Sequence, residues 1–233
     1  MNNNKIKIAA VIPFFNEAGK IDKVITKTLN YVDFVVCVDD GSNDNYMNSV
    51  FDNSRVILLK HEKNLGKGKA LNTGINKAKE RNPDFVICLD GDLQHDPDMI
   101  PKFISQINLG DIIIGRRDFS SKSMPFSRKL SNFFSSKILS ILTGQKILDS
   151  QSGYRLINIK LFDNIVIESF GFEAETEILL KAAYNGFNMG FISIPTIYTK
   201  NDDSKIKNIN SVLGFIRIII KNLNGRIKKK TNY

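Results

Sequence analysis

Residues 85–94 read FVICLDGDLQ, an apolar run that ends in two aspartates, Asp90 and Asp92, with one glycine between them. An uninterrupted apolar run of this length is typical of a strand buried on both faces. Carboxylates at positions i and i+2 of extended backbone project to the same side. The pair could therefore bind one divalent ion, although a strand followed by an Asp/Gly turn is the simpler interpretation of an isolated D-x-D pattern.

Four more apolar runs of the same kind predict further strands: residues 6–12, 34–40, 55–60 and 111–115. Segments with apolar residues at helical spacing lie between the runs and begin near Glu17, Asn43, Lys67 and Asp98. Strands that alternate with helices predict an α/β fold, with a mostly parallel central sheet and helices on both faces. Such sheets bind ligands at the carboxyl ends of their strands.

Acidic groups follow three of these predicted strands. Glu17 comes shortly after the first run, Asp39 and Asp40 end the second, and Asp90 and Asp92 follow the fourth. The carboxyl ends of parallel strands meet at one edge of a sheet, so these carboxylates are expected to gather in one crevice. A metal site thereby becomes a better interpretation of the D-x-D pair than a simple turn.

Composition limits the other classes of function. A chain of 233 residues can bury one large core. Its longest apolar stretches are too short for a transmembrane span or a signal peptide. Cys37 and Cys88 lie inside apolar runs, which fits packed thiols in a reducing cytoplasm. The net charge is +9, and residues 200–233 contribute nine Lys or Arg against two Asp, or +7. An anionic partner is expected to meet this tail.

Four motifs in order, IPFFNE, VDDGSND, NLGKGKALNTGI and LDGDLQHDP, resemble glycosyltransferase family 2, most closely its polyprenyl-phosphate branch, which includes dolichol-phosphate mannosyltransferases. The resemblance extends through residues 115–117, 149–156 and 172–182 and so covers nearly the whole chain. It implies a GT-A type nucleotide-diphospho-sugar transferase fold, with the catalytic domain in residues 1–200. It also implies an inverting transfer of a hexose from a GDP- or UDP-sugar.

The resemblance also implies roles for individual residues. Asp90, Asp92 and Gln94 match the metal-binding D-x-D-x-Q set, whose oxygens suit Mg²⁺ or Mn²⁺. Asp92 is also assigned a catalytic role. The residues that match the donor-binding positions are Pro13, Phe15 and Glu17 for the nucleotide, Asp39 and Asp40 for the base and ribose, and Gly91 within the D-x-D motif.

Basic residues are the candidates for phosphate binding. The loop around Lys67 could bring backbone N–H groups and an ammonium to phosphate, or it could simply be a turn that opens a helix. Arg117 and Arg128 match family positions that face the donor diphosphate or the acceptor phosphate, and Arg117 is also assigned to catalysis. Lys205 matches a basic position near the donor phosphates. The signature in residues 149–155 either positions the acceptor or braces a loop.

The acceptor decides whether a base is needed. A polyprenyl phosphate is already anionic, whereas the hydroxyl of a glycan must lose a proton to a carboxylate. Glu173, Glu175 and Glu177 are the available carboxylates, and Glu173 is assigned as catalytic. A third interpretation, a non-enzymatic nucleic-acid-binding protein, would explain the charge. It would not explain acidic groups at three strand ends, so no nucleic-acid partner is expected.

Residues 201–233 form a separate basic segment. Ile209, Val212, Leu213, Ile216 and Ile220 follow helical spacing, with lysines and arginines beside them. A basic amphipathic helix can lie on an anionic membrane. It can equally pack against its own core with a solvated lysine end. The first alternative would place the protein peripherally at the cytoplasmic face of a membrane.

Overall fold

The computed structural model describes residues 5–47, 49–119, 124–171, 173–197 and 213–222. Its strands are β1 (Ile8–Phe14), β2 (Phe34–Asp39), β3 (Val56–Lys60), β4 (Phe85–Cys88), β5 (Ile112–Arg117), β6 (Arg155–Asn158) and β7 (Met189–Ile194). They form one sheet in the order β3-β2-β1-β4-β6-β5-β7. The neighbouring pairs are parallel except where β6 runs antiparallel to β4 and β5.

Helices cover both faces of this sheet. They are α1 (Ile21–Thr28), α2 (Lys67–Lys79), α3 (Ile100–Ser105), α4 (Phe126–Thr143), α5 (Leu161–Asn164), α6 (Ala174–Tyr184) and α7 (213–222). Helices α1 and α3 pack on one face, and α2, α4, α5, α6 and α7 contribute to the core on the other. Every residue of β1 and β2 is buried, as their apolar sequences require. The predicted α/β fold with a mostly parallel sheet is confirmed.

The helix expected near Asn43 is absent from the described residues there. A single 3₁₀ turn, Ser49–Asp52, occupies part of the segment. Side chains in this region bond to backbone groups instead: Asn16 accepts a hydrogen bond from the Asn43 N–H, and Ser42 accepts one from the Asn16 N–H. Short polar side chains of this kind compete with helix formation because they offer the backbone other partners.

Helix α7 shows how part of the C-terminal segment is attached. Ile218 is buried in the core, and Phe215 and Ile219 pack against it. Lys221 pairs with Glu168 at 3.1 Å. The opposite side of the helix exposes Leu213, Ile216 and Ile220. In the part of the chain that the structure describes, no helix combines the length and the apolarity needed to cross a membrane.

Candidate active site

The loops after β1 and β2 are joined at the carboxyl edge of the sheet. The Asp40 N–H donates to the Phe14 carbonyl at 2.9 Å. The Asn16 N–H donates to Ser42 Oγ at 2.9 Å, and the Asn43 N–H donates to Asn16 Oδ1 at 3.0 Å. Asn16 adopts a left-handed conformation (φ 54°), which asparagine tolerates better than most residues. These bonds hold the two loops beside each other next to the end of β4.

Lys67 connects the end of β4 to helix α6. Its ammonium nitrogen lies 2.7 Å from Asp90 Oδ1 and 2.8 Å from Glu175 Oε1. Burial alone would lower the pKa of Lys67, but the two carboxylates raise it above its ordinary value, so the side chain is a fixed positive charge. Gly153 leaves room for it, because a Cβ at that position would lie 2.8 Å from Lys67 Nζ.

The two aspartates of the D-x-D motif have opposite electrostatic environments. Burial opposes ionisation of Asp90, yet the adjacent Lys67 holds its pKa below the usual range. Burial and the neighbouring Asp90 charge raise the pKa of Asp92 to about 6. Asp92 Oδ1 accepts a hydrogen bond from the Gln94 N–H at 3.0 Å. Leu93, between these two residues, has a positive φ of 69°, a strained conformation of the kind found at functional sites.

His95 positions the D-x-D loop. Its Nδ1 accepts a hydrogen bond from the Asp90 N–H at 3.0 Å, and its ring stacks on Tyr154 with centroids 5.0 Å apart. Burial, together with the nearby positive charges of Lys67 and Arg117, lowers the pKa of His95 to about 4 although Asp90 opposes the shift. A neutral imidazole that accepts this backbone bond fixes the direction in which Asp90 leaves the strand.

Arg117 is fixed at the end of β5. Its Nε and one terminal nitrogen each lie 2.9 Å from an oxygen of the buried Asp149, and its backbone N–H also donates to that carboxylate. The positive charge of Arg117 contributes to lowering the pKa of both Asp90 and His95. The structure therefore brings Arg117 close to the D-x-D motif.

Arg155 braces the loop of the 149–155 signature. Its fully buried guanidinium donates to the carbonyls of Ser150, Ser152 and Glu175 at 2.7–2.9 Å. Within the described residues, two buried oxygens beside this loop have no hydrogen-bond partner: Ser152 Oγ and Glu175 Oε2. Buried polar atoms are rarely left unsatisfied, so these two oxygens are candidates to bond a water or a ligand beside the charged cluster.

The two carboxylates at the end of β2 accept hydrogen bonds from neighbouring groups of the protein. Asp39 accepts from the Ser42 N–H at 2.7 Å and from the Tyr46 hydroxyl at 2.8 Å. Asp40 accepts from the N–H groups of Leu65 and Gly66 at 3.0 and 2.8 Å, and its Oδ1 lies 2.7 Å from His61 Nδ1. Asp40 therefore shapes the loop that leads to Lys67.

The remaining predicted donor residues lie around the same edge. Pro13 is buried in β1, and Phe15 is half-buried just beyond it. Glu17 is buried, pairs with Lys20 at 2.9 Å and is close enough to Asp92 to contribute to its raised pKa. Gly91 permits close packing, since a Cβ there would lie 2.9 Å from the Cβ of Phe14.

Two predicted phosphate-binding residues remain. Arg128 is half-buried in the first turn of α4. Lys205 falls outside the residues that the structure describes.

The three glutamates of the α6 region have separate surroundings. Glu175 contacts Lys67 and so belongs to the carboxylate cluster. Glu173 instead accepts a hydrogen bond from the Gly171 N–H at 3.3 Å and lies against Gly214 of α7. Glu177 accepts from the Ser169 N–H at 2.8 Å and pairs with Lys181. Glu175 is therefore linked to the D-x-D motif through Lys67, whereas the contacts described for Glu173 are with other residues.

The donor set suits a hard divalent cation. Carboxylate and amide oxygens of Asp90, Asp92 and Gln94 are ligands that Mg²⁺ and Mn²⁺ prefer. The Lys67 ammonium already lies on Asp90, which shows that the cluster accommodates positive charge. Among the described residues, no group of three or more His, Cys, Asp or Glu side chains forms a complete metal cage. A metal here would need further oxygens from a ligand.

Comparison with known proteins agrees with this geometry. Residues 9–166 match the family described as Glycosyl transferase family 2. A UDP-N-acetylglucosamine–dolichyl-phosphate N-acetylglucosaminyltransferase of Methanococcus voltae is 33% identical, over 89% of this chain and 92% of that protein. A dolichol-phosphate mannosyltransferase of Pyrococcus furiosus is 29% identical, over 77% of this chain and 54% of that protein.

Solved structures share the fold. Glucosyl-3-phosphoglycerate synthase of M. tuberculosis superposes with a TM-score of 0.69 at 18% identity, over 95% of this chain and 81% of that one. A complex of the same enzyme with Mn²⁺, UDP-glucose and phosphoglyceric acid gives a TM-score of 0.66 at 16% identity, over 95% and 80% of the two chains. The GT-A type fold implied by the motifs is thereby confirmed. The chain is a glycosyltransferase and belongs to glycosyltransferase family 2.

Proposed function

We propose that this enzyme transfers a hexose from a GDP- or UDP-sugar to a polyprenyl phosphate, with inversion at the anomeric carbon and with Mg²⁺ or Mn²⁺ as cofactor. The observation that carries the proposal is the contact of Lys67 with Asp90, beside Asp92 and Arg117. Carboxylates for a metal and fixed cations for phosphate occur together there. A sugar diphosphate needs both kinds of group, because its own charge is negative.

Asp90, Asp92 and Gln94 are the residues that would hold the metal. When bound, a divalent ion neutralises the diphosphate and makes the nucleoside diphosphate a better leaving group. Lys67 and Arg117 are proposed to contact the donor phosphates. Both are held by carboxylates in fixed positions, so little side-chain freedom is lost when a phosphate binds.

The nucleotide is proposed to lie over the loops after β1 and β2. Glu17 and Phe15 follow β1, and Asp39 lies beside Tyr46 at the end of β2. Asp40 is proposed to act mainly on the loop before Lys67, because its oxygens accept bonds from that loop. Gly91 is proposed to let the D-x-D loop pack closely against Phe14, since a side chain at this position would collide with it.

The polyprenyl phosphate acceptor is supported by the two relatives, which are named as a dolichyl-phosphate N-acetylglucosaminyltransferase and a dolichol-phosphate mannosyltransferase. Its phosphate oxygen is already anionic and can attack without a strong base. Arg128 is the proposed contact for this phosphate. We further propose that residues 1–200 are the catalytic domain and that Lys205 contacts the donor phosphates. The basic segment 201–233 is proposed to contact the membrane surface, at whose cytoplasmic face the enzyme works.

A donor screen tests the proposal. Thermal unfolding is followed with GDP- and UDP-sugars in the presence of Mn²⁺ or of EDTA. One sugar nucleotide is expected to raise the unfolding temperature in a metal-dependent way, because a ligand that binds only the folded state stabilises it. Asp92→Ala should lose this effect. The control, Asp163→Ala, removes an exposed carboxylate that pairs with Lys79 and should keep it.

Transfer is then measured with the stabilising donor and a short polyprenyl phosphate in detergent. Product formation that depends on metal and on Asp92 is expected. Unchanged metal-dependent turnover in Asp92→Ala would refute the assigned site, and salt-sensitive RNA or DNA binding without donor binding would refute the enzyme's proposed substrates.

A further inference from the structure

Helix α4 buries its polar side and exposes its apolar side, the opposite of the usual arrangement in a globular domain. The residues that it buries against the domain are Asn132, Ser135, Ser136 and Leu139, only one of which is apolar. Its outer side carries six large hydrophobic residues: Phe126 (77% exposed), Leu130 (44%), Phe133 (59%), Phe134 (54%), Ile138 (40%) and Ile141 (74%). On a helical wheel these six fall within an arc of roughly 140°. We call them the outer face of α4.

Hydrogen bonds fix this orientation of the helix. Ser135 Oγ lies 2.8 Å from Ser150 Oγ, and the Ser150 N–H donates to Ser136 Oγ at 3.0 Å. The Gln151 N–H lies 3.3 Å from its acceptor, Asn132 Oδ1. Rotation of the helix to bury its aromatic side would break these bonds and leave buried polar groups unpaired. The polar side therefore belongs inside, and the outer face is a stable feature of the folded domain.

The charge of α4 selects the partner. Residues 126–143 include Arg128, Lys129 and Lys137 and contain no Asp or Glu. Lys137 is exposed and lies within the arc of the outer face. A lysine surrounded by apolar side chains can bury its stem in a lipid layer while its ammonium reaches the headgroups. Helices that lie in an anionic lipid interface typically combine aromatic and aliphatic residues with charged residues that are all basic.

We propose that the outer face of α4 is the surface by which this enzyme docks on an anionic lipid bilayer. The inference deepens the proposed function, on which it rests, because a polyprenyl phosphate acceptor is itself embedded in a bilayer. The inner side of α4 contacts Ser150. The preceding residue, Asp149, binds Arg117. Helix α4 itself would thus separate a bilayer on its outer face from the loop that positions Arg117.

The test is co-sedimentation with vesicles, either of phosphatidylcholine alone or of phosphatidylcholine mixed with phosphatidylglycerol. The double variant Phe134→Ser/Ile141→Ser should reduce binding to the mixed vesicles about tenfold or more, since each side chain loses its apolar contact with lipid. Lys137→Glu should weaken binding to the mixed vesicles selectively. The matched control is Ile6→Ser/Leu109→Ser, which removes two exposed apolar residues before β1 and β5 and should bind as the wild type does.

Transfer assays separate this inference from the proposed function. With acceptor dispersed in detergent, Phe134→Ser/Ile141→Ser should retain wild-type turnover, and with acceptor in vesicles it should lose it. Detergent transfer by the wild type without vesicle binding would overturn the docking surface alone. Vesicle binding through α4 without transfer would overturn the proposed function alone. Self-association of the wild type that the double variant abolishes, without vesicle binding, would assign the face to a second copy and overturn the inference.

Discussion

The ammonium nitrogen of Lys67 lies 2.7 Å from Asp90 Oδ1, so a lysine at the start of α2 neutralises the first carboxylate of the D-x-D motif. The same nitrogen reaches Glu175 of α6. One cation therefore joins three elements that are far apart in the sequence. Its position explains why Asp90 stays ionised although it is largely buried. For Asp92, burial and the charge of Asp90 outweigh the effect of Lys67, so its pKa is raised.

Lys67→Met should destabilise the fold by about 3 kcal/mol, because it leaves two largely buried carboxylates without their cation. Urea denaturation in EDTA measures the change. Lys69→Met, on the exposed side of the same helix, is the control and should be nearly neutral. Equal stability of the two variants would contradict a stabilising role for the Lys67 bridge. Divalent ions should recover part of the loss in Lys67→Met, since they can replace the missing charge.

Asp92→Asn should stabilise the metal-free protein at neutral pH. The folded-state pKa of about 6 lies above the ordinary value of 3.8, so folding favours the protonated form, and stability is lost as the pH rises between these values. Removal of the charge should recover on the order of 2 kcal/mol at neutral pH and almost nothing below 3.8.

Urea denaturation across this pH range in EDTA checks the prediction for Asp92. Asp98→Asn serves as the comparison of opposite sign. Hydrogen bonds from Lys27 and Tyr31 lower the pKa of Asp98, so its loss should destabilise the protein at neutral pH. A gap between Asp92→Asn and wild type that does not change with pH would contradict the assigned electrostatics.

Glu173→Gln should leave transfer to polyprenyl phosphate within about threefold of wild type, since an anionic acceptor needs no base and the contacts of Glu173 are with Gly171 and Gly214. Turnover and donor protection are measured together. A loss of turnover of about a hundredfold with donor binding intact would instead favour a sugar hydroxyl as the acceptor.

Arg155→Met should destabilise the protein by about 3–5 kcal/mol, because three buried carbonyls lose the donor that satisfies them. Chemical denaturation measures the loss. Arg116→Met, which changes an exposed arginine of β5, is the control and should cost little. A stable Arg155→Met protein that has lost only turnover would argue for a direct role of Arg155 in catalysis.

The sequence predicted the parallel part of the fold well. Five continuous apolar runs became β1 to β5, because residues buried on both sides of a sheet must be apolar. Strands β6 and β7 were not predicted. β6 has only four residues and begins with Arg155, whose charge hides the strand pattern, and β7 is only partly buried. Such strands are defined by their neighbours in the sheet rather than by their own composition.

For the site, sequence reasoning predicted which strand ends would meet but not how their side chains would pair. The bonds of Asp40 with His61 and of Arg117 with Asp149 join positions 21 and 32 residues apart, and no local pattern encodes them. No motif surrounds His61, the partner of Asp40, and Tyr46, the partner of Asp39, lies in a segment that the sequence predicts to be helical. The sequence of residues 172–182 does not show which of its three glutamates faces the D-x-D motif. That depends on how α6 is oriented, and the contact of Glu175 with Lys67 reveals the orientation.

The polar inner side of α4 has a consequence for folding. A helix of 18 residues that buries one leucine and three small polar side chains gains little hydrophobic free energy from its own domain. Its backbone amides are therefore expected to exchange with deuterated solvent well before those of β1 and β2. Sub-global opening of this layer would loosen Asp149 and Arg117 without unfolding the sheet. A lipid layer on the aromatic side would supply the apolar burial that the domain itself does not give α4, and it should slow this exchange.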